Sequence, residues 1–266
     1  MGTGSATAGA RQTEAARRQG RAAKVMAAEK DRTAATPSGQ VKSRRRVADY
    51  GEVFTAEREV NAMLDLVANE TVRIESRFLE PACGDGNFLA EILRRKLAEV
   101  ARRYGGARSD FEMWSILAVT SIYGVELLAD NAAACRERLF GIWDAAYAAQ
   151  CKDETREACR EAVRHILAHN ILCGDALTLK QQDGSPIVFA EWSFVTGTKV
   201  KRRDFRLDVL LAQGEKGQTS DQTFDFFGGA NASVNWMPDP DDTTRQIPAP
   251  TREYPPIDYW RVQEHE

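Results

Sequence analysis

No stretch of this chain of 266 residues has enough consecutive apolar residues to span a bilayer, and its N-terminus lacks the apolar core of a secretory leader. A cytoplasmic protein with no membrane contact is expected. Cysteine is scarce and unsuited to a framework: Cys83, Cys135, Cys151, Cys159 and Cys173 are odd in number and contain no CxxC, so reduced thiols are expected. The phosphate-loop ending GK[ST] is absent, and the strict GxGxxG pattern is missed because Leu89 stands at its third glycine. His165 and His169 stand at i, i+4, but no third ligand and no HExxH accompany them, so no metal is expected. No internal repeat is evident.

What is present is a soluble composition, 43% hydrophobic and 28% charged, enough for one domain with a core and tails. The net charge of −3 hides an asymmetry. Residues 1–46 hold eleven Lys/Arg against Glu14, Glu29 and Asp31, a net of +8, which leaves −11 for the rest. That arm is rich in Ala, Arg, Thr, Gly and Ser and short of large apolar residues, so it is expected to be a disordered basic tail, either solvated or touching phosphates. Residues 47–212 are expected to form the folded core. Residues 213–266 turn polar and rich in Gly, Pro, Asp and Thr, and are expected to be an irregular tail anchored at points such as Phe226-Phe227 and Tyr259-Trp260.

Within the core, Val60, Met63, Leu64 and Val67 recur at helical spacing, with Thr55 as a candidate N-cap and Glu57 and Glu59 in the first turn. Phe78-Leu79 reads as a short strand. Phe88, Leu89, Ile92, Leu93, Leu97 and Val100 form the apolar face of the helix that follows. An extra helix near Asp110–Leu117, a strand at Ser121–Leu127, a helix capped by Asp130, a helix over Glu154–His169 and a strand at Ile171–Leu177 come next. Strand and helix in alternation give an α/β protein with a doubly wound, mostly parallel, Rossmann-like sheet. "IVFAEWSFV" and "KVKRRDF" flank Thr196-Gly197-Thr198, a fourth strand running into a β-hairpin.

Strand, glycine turn and helix, as in "LEPACGDGNFLAEIL" (Leu79 to Leu93), present backbone N–H groups to a ligand. Gly84 and Gly86 imply either a sharp turn or a close approach to the backbone. Glu126 closes the second strand, where a carboxylate can accept both ribose hydroxyls of a nucleoside. Asp175 closes the third and can accept from an exocyclic adenine amine. Glu80 and Asp85 add negative charge suited to a cationic ligand. Each has a plainer alternative: Asp85 as a helix cap, Glu126 and Asp175 as solvated strand-end acids.

At these residues the chain resembles the bacterial S-adenosylmethionine-dependent DNA methyltransferases of the adenine-N6 branch found in restriction–modification systems. "GEVFTAEREV" is similar to the branch's N-terminal cofactor motif, with Ala56 where proline is usual; "LEPACGDGNFL" is similar to its DPACGSGNFL; "YGVELLADNAAAC" and "NILCGDAL" are similar to its ribose and adenine motifs. The resemblance covers roughly Val47 to Leu210 and implies a class I methyltransferase sheet with S-adenosylmethionine as cofactor. It further implies that the glycine turn holds the methionine moiety, so that the glycines serve close approach. The cofactor-binding residues it implies are Phe54, Thr55, Glu80, Pro81, Ala82, Cys83, Gly84, Asp85, Gly86, Phe88, Glu126, Leu127, Asp175 and Ala176.

The family's catalytic tetrapeptide, [DNS]PP[YFW] after the fourth strand, is missing. In the family its side-chain and proline carbonyls accept from adenine N6 while its ring stacks on the flipped base. "AEWSF" occupies the place, with Glu191 and Trp192 as catalytic candidates, or with Trp192 merely alternating inward beside Val188 and Phe194 and Glu191 facing solvent. "YPPI" (Tyr254–Ile257) has the reversed order, and "NWMP" (Asn235–Pro238) lacks paired prolines. Lys199, Lys201, Arg202 and Arg203 form a basic arm that either binds DNA phosphates or guards a sheet edge. The resemblance implies a DNA adenine-N6 methyltransferase, the modification component of a restriction–modification system. The alternative is a cofactor-binding, methyltransferase-like subunit without autonomous catalysis that works with another protein, such as a restriction or specificity subunit.

Overall fold

The structure, a computed structural model, describes residues 42–211, 236–238 and 246–265. Nearly all of the arm 1–46, the proposed anchors Phe226-Phe227 and Asn235 lie outside the described residues. The chain divides into two compact units between Phe54 and Thr55. In the first, helix α1 (Arg44–Tyr50) starts at Ser43, whose hydroxyl accepts the Arg46 N–H, and ends at Gly51 in the left-handed region, φ +66°. This helix begins three residues before the expected Val47.

The second unit opens with α2 (Glu57–Asp65), where Val60 and Leu64, one turn apart, are buried and Met63 stays exposed. Thr55 does not cap it; Ala56 holds the cap position without a side-chain bond. A short α3 (Ala68–Thr71) follows. Strands β1 (Phe78–Glu80), β2 (Ile122–Glu126) and β3 (Ile171–Asp175) pair in parallel in the order 1-2-3, joined by helices α4 (Asn87–Tyr104) and α5 (Arg108–Thr120), then α6 (Ala129–Cys151) and α7 (Glu157–Asn170). A short β4 (Lys180–Gln181) adds antiparallel to β3. Period-two alternation sorts the side chains. Phe78, Ile122 and Ile171 pack on the helices, whereas Leu79, Tyr123, Val125 and Leu172 face the other way.

This mixed α/β sheet is compatible with a Rossmann-like fold, with a correction. A doubly wound sheet reverses direction after its third strand; here the expected fourth strand does not join it. Strand β5 (Val188–Thr196) turns at Gly197, φ +57°, straight into β6 (Lys199–Arg206) and pairs with it along its length. This hairpin forms a separate antiparallel sheet, and its Ile187, Phe189 and Phe205 cover the Tyr123/Val125 face that a second helix layer would otherwise bury. Helix α8 (Leu207–Leu211) continues that cover with Leu207 and Leu210.

The C-terminal stretch is anchored at Tyr259 and Trp260, as expected, but its described residues are not irregular. After a small β7 (Trp236–Pro238) and β8 (Gln246–Pro248) pair, β9 (Arg252–Glu253) and β10 (Ile257–Asp258) extend the hairpin sheet on β6. A 3-10 turn, Tyr259–Glu264, then buries Tyr259 and Val262 in the helical core. A buried acid on α5 helps to hold it: Glu112 accepts from the Tyr259 and Tyr147 hydroxyls at 3.1 and 2.6 Å and is ion-paired with Arg156. Among the described residues no helix is long and apolar enough to cross a membrane.

Candidate functional site

Parallel pairing brings the carboxyl ends of three strands to one edge, each end reaching two residues beyond the last: Glu80 opposite Gly124, Glu126 opposite Cys173, then Asp175. Here the expected acids meet the glycine turn. Gly84 and Gly86 both have positive φ, +55° and +90°, so the backbone turn itself demands glycine. At Gly86 a Cβ would also stand 2.7 Å from the Cys135 sulfur. That glycine is explained by the turn and by packing against α6, without recourse to a ligand. The Cys83 thiol lies beneath the turn, 3.8 Å from the Gly84 carbonyl, and the neighbouring Cys135 together with burial pushes its pKa up.

Glu126 is 8% exposed and bridges the turn. Its Oε2 accepts the Gly84 N–H at 2.8 Å, and its Oε1 accepts the Leu128 N–H at 3.0 Å and the Asn131 amide at 3.4 Å. It is therefore not a solvated strand-end acid. Asp175 accepts the Leu177 N–H at 2.8 Å and the Thr178 hydroxyl at 3.1 Å, bonds that hold its pKa below the usual carboxylate range. Burial pushes the Glu80 carboxyl the other way, above that range, against a weak bond from the Ala82 N–H. Asp85 does not cap α4, whose N-cap residue is Gly86; it ion-pairs with Arg138 of α6 at 3.4 Å.

Arg138 also donates to Asn87 Oδ1 at 2.6 Å, and Asn87 donates to the Thr55 carbonyl at 3.0 Å. Pro81 and Ala82 lie exposed on the turn, Phe88 is half-buried against the helices, and Ala176 packs toward the hairpin. Leu127 and Leu177, each next after a site acid or one residue beyond, are exposed, Leu177 at 95%. Phe54 belongs to the first unit, with the Lys42 ammonium 5.7 Å from its ring. Asn131 and Arg138 were not legible as site residues. Their signal is spacing: Asn131, Cys135 and Arg138 fall at i, i+4 and i+7, one stripe of α6 turned toward the glycines.

No protein-family model, no curated protein and no solved structure matches this chain.

The catalytic candidates lie elsewhere. Glu191 is 5% exposed and accepts from Arg203 at 2.7 Å and from Arg77 at 2.9 Å. Trp192 donates its indole N–H to Asn170 at 2.9 Å. Arg77 immediately precedes β1 and Asn170 immediately precedes β3, so both candidates sit at the amino edge of the sheet. The five residues of β2 separate that edge from Glu126 by roughly 13–16 Å at about 3.3 Å per residue, whereas reacting groups must approach to about 3–3.5 Å. The reason is the hairpin: β5 crosses the face of the sheet, Ile187 against Gly174 near the carboxyl edge and Glu191 at the amino edge. Nor does Glu191 face solvent, as its position in the strand suggested.

At the same edge a cavity of about 810 Å³, lined among others by Arg77, Tyr104, Trp114, Trp192 and Phe194, includes none of the glycine-turn residues. Tyr254 of YPPI is buried against Arg202 and Arg252, a packing role. The basic arm is internally matched: Lys199 pairs with Asp258, Lys201 with Glu253, Arg202 with Asp204 and Arg203 with Glu191. Arg202 and Arg203 are 5% and 2% exposed, so neither presents its charge to a phosphate. His165 and His169 pack around Trp192 and Arg202, and among the described residues no cluster of His, Cys, Asp and Glu could hold a metal.

Proposed function

We propose that this chain binds S-adenosylmethionine at the carboxyl edge of its sheet and serves as the cofactor-binding, methyltransferase-like part of a DNA adenine-N6 modification system. The observation that carries the reading is the Gly84–Glu126 bridge, which joins the glycine turn and the strand-end acid into one site. The residues present fit a cationic nucleoside. Glu126 and Asp175 offer acceptors to ribose and adenine, Leu127 and Leu177 offer exposed apolar surface to the base, and Glu80 adds a carboxyl at the same edge, whereas Asp85 is already matched by Arg138. The cofactor supplies an electrophilic methyl group. The chain's own residues orient the nucleoside and match its charge.

The placement of Glu191 and Trp192 at the opposite edge favours a subunit whose target-base contacts come from another protein over an autonomous enzyme. Two measurements test this. Calorimetry should show S-adenosylmethionine binding that Glu126→Ala weakens by about 1–3 kcal/mol, the usual cost of losing a charged acceptor; unchanged affinity removes Glu126 from the site. Transfer of labelled methyl groups to unmethylated DNA should be absent with the chain alone and appear when the protein encoded beside it is added. Transfer by the chain alone refutes the subunit reading and restores the autonomous one.

A further inference from the structure

Within the cofactor reading above, we infer that Glu126 grips the ribose through a single hydroxyl, because its carboxylate already serves as the acceptor that closes the glycine turn. An ionised carboxylate offers about four lone-pair sites. Among the described residues three are taken: Oε2 by the Gly84 N–H at 2.8 Å, Oε1 by the Leu128 N–H at 3.0 Å and by the Asn131 amide at 3.4 Å. One site is left, on Oε2.

None of the three donors yields readily. Gly84 is fixed in the left-handed region by the turn, with its neighbour Cys83 tied to β2 through the Val125 carbonyl at 3.0 Å. Leu128 is the N-cap residue of α6, and its N–H lies two residues from the acid it serves. Asn131 is 1% exposed. Releasing the Gly84 N–H to admit a second hydroxyl exchanges one charge-assisted hydrogen bond for another, so little is gained. The bidentate grip on both hydroxyls, expected of an acid at this strand end, is closed off by the turn's own hydrogen bonds. The second hydroxyl is left to solvent or to a weaker contact.

The test uses the wild-type full chain, so folding is not a variable. S-adenosylhomocysteine and its 2′-deoxy and 3′-deoxy analogues are titrated by calorimetry. One analogue should lose affinity by about tenfold or more, the scale of one hydrogen bond to a charged acceptor, while the other stays within about threefold of the parent. Equal large losses for both analogues overturn the single-hydroxyl grip while leaving the cofactor site standing. Losses for neither overturn it by removing Glu126 from ribose recognition. Failure of the parent compound to bind overturns the cofactor reading itself, and the grip with it.

Discussion

Gly86 shows how two demands can coincide on one residue. Its φ of +90° lies where an L side chain is strained by roughly 1–2 kcal/mol. Its missing Cβ leaves room for the Cys135 sulfur, and filling that room is an overpacking change of about 1–3 kcal/mol. Gly86→Ala should therefore lower stability by about 2–5 kcal/mol in denaturant unfolding. Adding Cys135→Ala, which removes the sulfur, should recover the packing part and leave the backbone part. Full recovery in the double variant would show that the φ angle carries no strain. Lys96 makes a similar point from the polar side. Its fully buried amine donates to the Ile74 and Ser76 carbonyls and to the Ser121 hydroxyl, fastening the approach to β1 onto the start of β2. Burial lowers its pKa to about 7.

At the scale of elements, the hairpin and the C-terminal turn are held by buried charge and aromatic packing. Trp192 is 4% exposed, and its indole N–H is bonded to Asn170, whose amide in turn donates to the Thr120 and Ile122 carbonyls. Trp192→Ala should cost about 3–5 kcal/mol as a cavity mutation while cofactor affinity of the folded fraction stays unchanged. A loss of affinity without a loss of stability would return Trp192 to the functional site. The 3-10 turn docks through Tyr259 and through Trp260, whose ring lies 4.5 Å from the Arg156 guanidinium. Tyr259→Ala should free this segment, with a fall of about 3–5 kcal/mol in stability and a rise in amide exchange over 257–265. Tyr259→Phe, which keeps the packing and loses the bond to Glu112, should cost about 1–3 kcal/mol. Equal effects of the two variants would mean that the hydroxyl, not the ring, holds the turn.

Across the whole molecule, all three histidines gather where the hairpin, α7 and the C-terminal segment meet. His165 Nε2 lies 3.4 Å from Arg202, the His165 and His169 rings are 4.3 Å apart, and Arg202 donates to the His265 carbonyl. Burial, then His169, Arg202 and His265, depress the His165 pKa to about 3; burial likewise lowers those of His169 and His265, with Asp204 opposing. Below the unfolded value of about 6.5 the unfolded chain takes up protons that the folded chain refuses. Stability should therefore be fully present above about pH 6.5 and fall progressively toward about pH 3. Melting temperatures over that window should fall less steeply in His165→Gln than in the wild type. Parallel curves would mean that His165 titrates alike in both states.

Periodicity located helices α4 and α7, because burial of one face imposes a pattern that the chain displays locally: Phe88 to Val100 for α4, Cys159 to Leu167 for α7. The three strand-end acids and the two glycines were equally legible, since parallel connections force strand ends to a common edge. The sheet's one-way course was not. Strand β5 pairs with β6 through the tight turn at Gly197, and the pair lies across the sheet because Ile187, Phe189 and Phe205 pack on Tyr123 and Val125, residues far away in the chain. The same event carries Glu191 and Trp192 to the far edge and turns the basic arm into internal ion pairs. The C-terminal segment looked irregular because its partners, Glu112 and Arg156, lie more than a hundred residues away and no local pattern announces them. The sequence by itself determined the elements and the acidic glycine edge; tertiary structure alone decided which charged groups face that edge, because only folding fixes where each carboxylate finds its partner.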